Sequence, residues 1–137
     1  MTVFVDTSCW YAAADRGDQS NRRAKAVLSG AGELITSDHV LVESWLLLRH
    51  RLGRDAAHQF WSGLMAGVAS LEPVISADLQ VARAISEEFA DQDFSLVDCT
   101  SFALMRRLGL ERAASFDSDF AIFRYGSRRE RAFTILS

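Results

Sequence analysis

Thr2-Val3-Phe4-Val5-Asp6-Thr7-Ser8 is the stretch on which the fold turns. Thr2 to Val5 is a run of β-branched and aromatic residues, the composition of a short buried strand. It meets Asp6-Thr7-Ser8 with no loop between. These three residue types start helices, because their side-chain oxygens accept hydrogen bonds from the free amides of a first turn. Cys9 to Ala14 then reads as helical. A strand passing directly into a helix opens a βα unit.

The same alternation continues outward from that stretch. Asp18 to Leu28 reads as a helix with Ala24, Val27 and Leu28 on one side and Gly30 and Gly32 closing it. Glu33 to Thr36 is a strand candidate. Ser37 or Asp38 caps a helix to about Leu52, with Val42, Trp45, Leu46, Leu48 and Leu52 at helical spacing and Gly53 at its end. Arg54 to Val68 gives another helix, with Phe60, Trp61, Leu64 and Met65 expected inward. Leu71 to Ile75 reads as a strand, and Ser76 or Ala77 to Ala90 as an amphipathic helix through Leu79, Ala82, Ile85 and Phe89. Ser95-Leu96-Val97-Asp98 opens a helix to Leu108, with Gly109 as its left-handed end and Leu110 packing back. Ala113 to Phe116 and Phe133 to Leu136 are the last strands. Strands alternating with helices predict an α/β domain whose mainly parallel sheet is covered on both faces.

With 137 residues, one proline (Pro73) and no linker or repeat, the chain reads as one domain over residues 1–137. Hydrophobic residues make up 49% and charged residues 24%, which excludes intrinsic disorder. Cys9 and Cys99 make no disulfide framework, and a reducing cytosol is the simplest setting. No apolar span reaches membrane length, and the N-terminus has no basic region before its first carboxylate, so a cytoplasmic protein without a secretory signal is expected. A net charge of −3 excludes an overall basic nucleic-acid binder. Of the 15 basic residues only Lys25 is lysine. A GC-rich genome and a phosphate-gripping surface both account for that excess of arginine.

The acids carry the functional signal. In parallel sheets, ligands bind beyond the carboxyl ends of the strands, where the strand order reverses. Asp6 follows the first strand directly, Asp117 follows the strand ending at Phe116, and Asp119 comes two residues later. Asp98 opens a helix, and Glu43 interrupts the apolar run Val40-Leu41-Val42-Glu43-Ser44-Trp45-Leu46-Leu47-Leu48. Each acid also has an ordinary structural explanation. Asp6 and Asp98 suit helix caps, Asp117 and Asp119 suit an Asx turn, and Glu43 suits a solvated stripe with His39, Leu47 and His50. Together they point elsewhere, since carboxylates converging on one edge repel unless a cation sits among them. A hard divalent ion such as Mg²⁺ takes such oxygen ligands. The chain has no Cys-x-x-Cys pair, His-Glu-x-x-His motif, Gly-x-Gly-x-x-Gly loop or Walker loop, so soft-metal and nucleotide-cofactor sites lack support.

Four blocks, in order, resemble the PIN-domain ribonucleases, and among them the VapC-type toxins of toxin–antitoxin pairs. They are Val3 to Ser8, Thr36 to Glu43, Ser95 to Ala103 and Ala114 to Phe120, with the spacer Met105-Arg106-Arg107-Leu108-Gly109-Leu110 between the last two. The resemblance runs essentially end to end. It implies a three-layer α/β/α sandwich around a mainly parallel sheet. It also implies a metal-dependent endoribonuclease that leaves a 5′-phosphate and a 3′-hydroxyl.

Carried over position by position, the resemblance makes Asp6, Glu43 and Asp98 the first three acids. The fourth is Asp117 or Asp119; Asp117 is preferred because it leaves the strand directly, with Asp119 supporting it or holding a second metal. Ser8 would orient the first carboxylate or hold a metal-bound water. The implied cofactor is Mg²⁺, with Mn²⁺ as the substitute. Cys99 stands where the family often has a small residue. The implied partners are an RNA substrate, a VapB-type antitoxin and a second copy in a homodimer, with no membrane. Trp10, Tyr11, Trp45 or Trp61 would supply the antitoxin's apolar surface. Phosphate contacts would come from arginine clusters at Arg49, Arg51 and Arg54, at Arg106 and Arg107, and at Arg124, Arg128, Arg129 and Arg131. Arg49, Arg106, Arg107 and Arg128 are the candidates among them.

Three other readings share the acids. A phosphoacceptor receiver domain would need a lysine on a late loop, and Lys25 lies early. A PIN nuclease of RNA maturation is separated from a toxin by whether a small antitoxin frame lies upstream. An inactive PIN-fold binding module would not need the full set of acids.

Overall fold

The computed structural model describes all of residues 1–137. Five strands form one all-parallel sheet: β1 (Thr2–Val5), β2 (Glu33–Ser37), β3 (Ser70–Glu72), β4 (Arg112–Ala114) and β5 (Thr134–Leu136), in the order β3-β2-β1-β4-β5. Seven helices connect them: α1 (Thr7–Ala14), α2 (Asn21–Gly30), α3 (Asp38–Leu52), α4 (Arg54–Met65), α5 (Ser76–Glu88), α6 (Leu96–Leu108) and α7 (Asp119–Ile122). Val3, Phe4, Val5, Ala113 and Ala114 are fully buried, as expected of central strands covered on both faces. The sheet grows outward from β1 in both directions, so its order reverses between β1 and β4. The C-terminal ends of those two strands therefore flank the crevice where such sheets bind ligands.

One part of the core is a phenylalanine cluster. Phe102 of α6 stacks on Phe123 at 4.3 Å between ring centroids and meets Phe120 of α7 edge-on at 4.8 Å. Phe120 reaches across to stack on Phe4 of β1 at 6.2 Å. This packing ties the segment after β4 to the sheet centre, and so fixes the loop that carries Asp117 and Asp119.

Several boundaries differ from the sequence expectation, each for a local reason. Residues 15–20 form turns in place of the start of α2, with Asp18 donating to Asp15 O and Asn21 to Asp18 O. The helix expected to run to Val68 stops at Met65, where Ala66 and the left-handed Gly67 (φ 98°) unwind it. β3 ends before Pro73, which has no amide to offer a ladder, and the Val74 amide goes to Asp38 Oδ1 at 3.0 Å. β4 ends at Ala114, two residues early, because Phe116 N turns away to Ser8 Oγ at 2.9 Å. The short α7 was not anticipated. Trp61 and Met65, expected inward, are 43% and 58% exposed, and Val42 and Leu46 of α3 are exposed as well. Their helical spacing reflects an apolar surface, not the core.

Candidate metal centre

An acidic cleft of about 470 Å³ opens at the carboxyl edge of the sheet, lined by Asp6, Thr7, Ser8, Glu43, Leu47, Asp93, Ser95, Asp98, Asp117 and Asp119. All five acids singled out from the sequence reach it, together with Asp93. No basic side chain lines it.

Asp6 is buried at the mouth of β1 and makes no capping hydrogen bond to α1, although it occupies the N-cap position. Its Oδ2 instead accepts from Ser8 Oγ at 2.8 Å and Ser115 Oγ at 3.0 Å. Burial pushes its carboxyl up to about 6, against the opposing pull of those two hydroxyls. Ser8 thus orients the first carboxylate. Ser115 does the same from β4's end and also accepts from Asp117 N at 3.1 Å. Ser115 is not among the residues expected at the site; its only signal in the sequence is a hydroxyl closing an otherwise apolar strand.

Asp98 is the N3 residue of a capping box. Ser95 Oγ accepts from Asp98 N at 3.0 Å, and Asp98 Oδ2 accepts from Ser95 N at 3.1 Å. Ser95, not Asp98, is the cap. Burial, then the neighbouring Asp119 carboxyl, with a contribution from Asp6, raise Asp98 to about 8.

Asp117 and Asp119 form the expected Asx turn, with Asp119 N donating to Asp117 Oδ1 at 3.0 Å. The turn aims them at the cleft: one oxygen from each of Asp98, Asp117 and Asp119 lies within 4.8 Å of the others. Both candidates for the fourth acid belong to this grouping, and Asp119 also bears on Asp98. Asp6 and Glu43 line the same cleft outside that tightest cluster. Glu43 on α3 is half-buried and faces the acids beside Leu47, while His50 lies exposed.

The donor set suits a hard divalent ion: every group is oxygen, and the acids resist ionising together. Thr7 Oγ1, buried on the cleft wall with no partner, leaves further oxygen capacity there.

The arginines named from the sequence do not line this cleft. Arg49 rests over Trp45 at 5.9 Å. Arg106 and Arg131 lie over Tyr125 at 5.3 and 5.1 Å, in a separate hollow with Gly109 and Glu111. Arg107 holds Asp78 with Nε–Oδ1 at 2.8 Å and Nη2–Oδ2 at 2.9 Å. Arg128 lies exposed on the loop before β5. Trp10 and Tyr11, proposed as partner surface, are buried at 5% and 8% exposure. Trp45 and Trp61 do reach the surface, in an apolar groove with Leu41, Val42 and Leu46.

The family model of the PIN domain matches residues 3–124. The 23S rRNA-specific endonuclease VapC20 of Mycobacterium tuberculosis is 38% identical over 121 residues, which are 87% of this chain and 92% of that protein. The crystal structure of Mycobacterium tuberculosis VapC20, described as a sarcin–ricin loop cleaving toxin, superposes with a TM-score of 0.83 at 35% identity over 87% of this chain and 92% of that one. A toxin–antitoxin complex from Klebsiella pneumoniae shares the fold, with a TM-score of 0.65 at 18% identity over 88% of this chain and 91% of that one.

Proposed function

This chain belongs to the PIN-domain family as a VapC-type endoribonuclease toxin, and from that premise we propose that it hydrolyses ribosomal RNA at its acidic cleft. The observation that carries the proposal is the carboxylate cluster of Asp98, Asp117 and Asp119, set at the β1–β4 switch point beside Asp6 and Glu43. In this reading those five acids hold one or two divalent ions, Mg²⁺ or Mn²⁺. A bound ion supplies Lewis-acid charge at the scissile phosphate and lowers the pKa of a coordinated water.

The chain's own residues supply the frame. Ser8 and Ser115 hold Asp6 in one rotamer with both hydroxyls on Oδ2. Ser95 holds Asp98 by Oδ2, and the Asp98 carboxyl also meets that of Asp119. The Asx turn sets Asp117 and Asp119 relative to each other, and Ser8 and the phenylalanine cluster anchor the loop that carries them. Such preorganisation is what an electrostatic site requires, since ligands already in place need not reorganise during reaction.

The substrate we assign is the sarcin–ricin loop of 23S rRNA, because the similarity to VapC20 covers both chains almost fully. An antitoxin of the VapB type is the proposed partner. Its apolar segment would lie in the groove of Leu41, Val42, Trp45, Leu46 and Trp61. A homodimer and a cytoplasmic location complete the proposal; no helix is long and apolar enough to cross a membrane.

The test is to incubate the purified chain, freed of any co-purifying protein, with 23S rRNA in Mg²⁺ or Mn²⁺. The controls are EDTA and Asp98→Asn. A single cut that leaves a 5′-phosphate and vanishes in both controls is expected. Cleavage that persists in EDTA overturns the metal site, and intact rRNA overturns the substrate.

A further inference from the structure

The cleft is lined by six carboxylates, Asp6, Glu43, Asp93, Asp98, Asp117 and Asp119, and by no cation. Two divalent ions would still leave it negative if all six ionised. A polyanionic strand entering such a cleft meets repulsion unless positive side chains stand at its lip.

No arginine lines the cleft, but one rests on the residue next to a cleft acid. Arg23, in the first turn of α2, places its guanidinium carbon 5.3 Å from the centre of the Phe116 ring. Phe116 lies between Ser115, which holds Asp6, and Asp117 of the carboxylate cluster. Its own amide bonds to Ser8 Oγ. Arg23 is exposed and makes no ion pair; its one hydrogen bond, Nη2 to Ser20 Oγ at 3.1 Å, is to a neutral hydroxyl. It keeps a full charge and most of its donors for a ligand.

Other arginines are committed elsewhere. Arg83, Arg107, Arg129 and Arg131 are in ion pairs with Glu87, Asp78, Glu88 and Glu111. Arg124 turns back onto the carbonyls of Ile122 and Phe123. Arg49, Arg51 and Arg106 lie over Trp45, Tyr11 and Tyr125, none of which is next in the chain to a cleft acid as Phe116 is to Asp117.

We propose that Arg23, parked on the face of Phe116, is an RNA-binding residue that grips a backbone phosphate of the substrate strand at the α2 side of the acidic cleft. Resting on an aromatic face is weaker than a bidentate bond to phosphate, so the guanidinium transfers at little cost while the ring keeps it near the lip. The contact is made to ground state and transition state alike, so its loss raises KM more than it lowers kcat. This inference rests on the ribonuclease reading above.

The experiment measures cleavage of a synthetic sarcin–ricin hairpin across a salt series for the unmodified chain and for Arg23→Ala, Arg23→Lys and Arg83→Ala. Arg83 is exposed on α5, paired with Glu87, and does not line the cleft, so it controls for loss of one charge. Arg23→Ala should raise KM about tenfold at low salt. It should also flatten the plot of log KM against log salt by about 0.7 to 0.9, one phosphate contact. Arg23→Lys should restore the salt slope and part of KM, and Arg83→Ala should change neither. A merely structural Arg23 would lower Tm and leave the salt slope alone. An unchanged slope in Arg23→Ala, with the unmodified chain still cutting, overturns the arginine and spares the nuclease. No cutting of this hairpin by the unmodified chain overturns the sarcin–ricin assignment, and this inference with it.

Discussion

Ser95 and Asp98 exchange hydrogen bonds across the first turn of α6, hydroxyl to amide in one direction and carboxylate to amide in the other. The same carboxylate that completes the capping box forms part of the acid cluster. Folding and chemistry therefore share one side chain, and substitutions can separate them.

Asp98→Asn keeps an oxygen acceptor for the Ser95 amide but loses the anionic ligand. Cleavage should fall about 100-fold or more while the helix cap survives. Asp98→Ala should lose activity equally and cost about 1 kcal/mol more in stability, because the capping box loses its Asp98 arm and the Ser95 amide its acceptor. Urea titration beside an RNA cleavage assay checks both; equal stability of the two variants refutes the shared role.

The acids should give the metal-free protein an inverted pH dependence. Burial pushes Asp6 up to about 6 and Asp98, with Asp119 beside it, up to about 8, both above the ordinary aspartate value of 3.8. The folded state therefore keeps protons that the unfolded chain has released. Their contribution to stability falls as pH rises from about 4 to 8, and the full cost stands above that window. In EDTA, the Tm difference between the unmodified chain and Asp98→Asn should widen against the unmodified chain toward pH 8. Mg²⁺, which binds the ionised form, should close the gap. A gap that does not change with pH contradicts this account.

The hydroxyls of Ser8 and Ser115 pull the Asp6 carboxyl downward against burial. Ser115→Ala or Ser8→Ala should raise that pKa further and move the pH of half-maximal Mn²⁺ binding upward. At a pH near 6 we expect about a tenfold loss of metal affinity. Calorimetric Mn²⁺ titrations at several pH values check this. Ser115 matters here because its hydroxyl also holds the Asp117 amide.

Arg107 and Asp78 join α6 to α5 by a bidentate pair in which the Asp78 side chain is 2% exposed. Removing the arginine leaves a buried carboxylate without its partner. Arg107→Ala should destabilise the chain by about 2 kcal/mol, below the range for fully buried pairs because Arg107 itself is partly solvated. RNA cleavage per folded molecule should be unchanged. A raised KM with normal stability would make Arg107 a phosphate contact after all.

Leu46→Asp should abolish antitoxin binding. Leu46 is 56% exposed in the groove beside Trp45 and Trp61, so the substitution burdens no core position. Tm and RNA cleavage should stay close to those of the unmodified chain, and pull-down with the antitoxin checks the loss.

The βα alternation, a cap at Ser37 or Asp38, a first turn opened by Ser95 to Asp98, the left-handed stop at Gly109 and five acids that share one cleft were all legible in the sequence. These depend on near neighbours along the chain: periodicity, a hydroxyl before a first turn, an acid where a strand ends. What lay beyond reach depends on contacts between distant residues. Ser115 meets Asp6 across 109 positions, and Arg23 reaches Phe116 only because α2 packs beside β4. Helical spacing marked Val42, Leu46, Trp61 and Met65 as apolar but not which way they face, because a groove for a partner and a core have the same period. The arginines were countable, yet only the fold decided that Asp78 occupies Arg107 while Arg23 stands unpaired beside the acids. Sequence determined which carboxylates end strands or break apolar runs; tertiary packing decided which of them meet, because charge and hydrogen bonding act through distances that the chain's order does not contain.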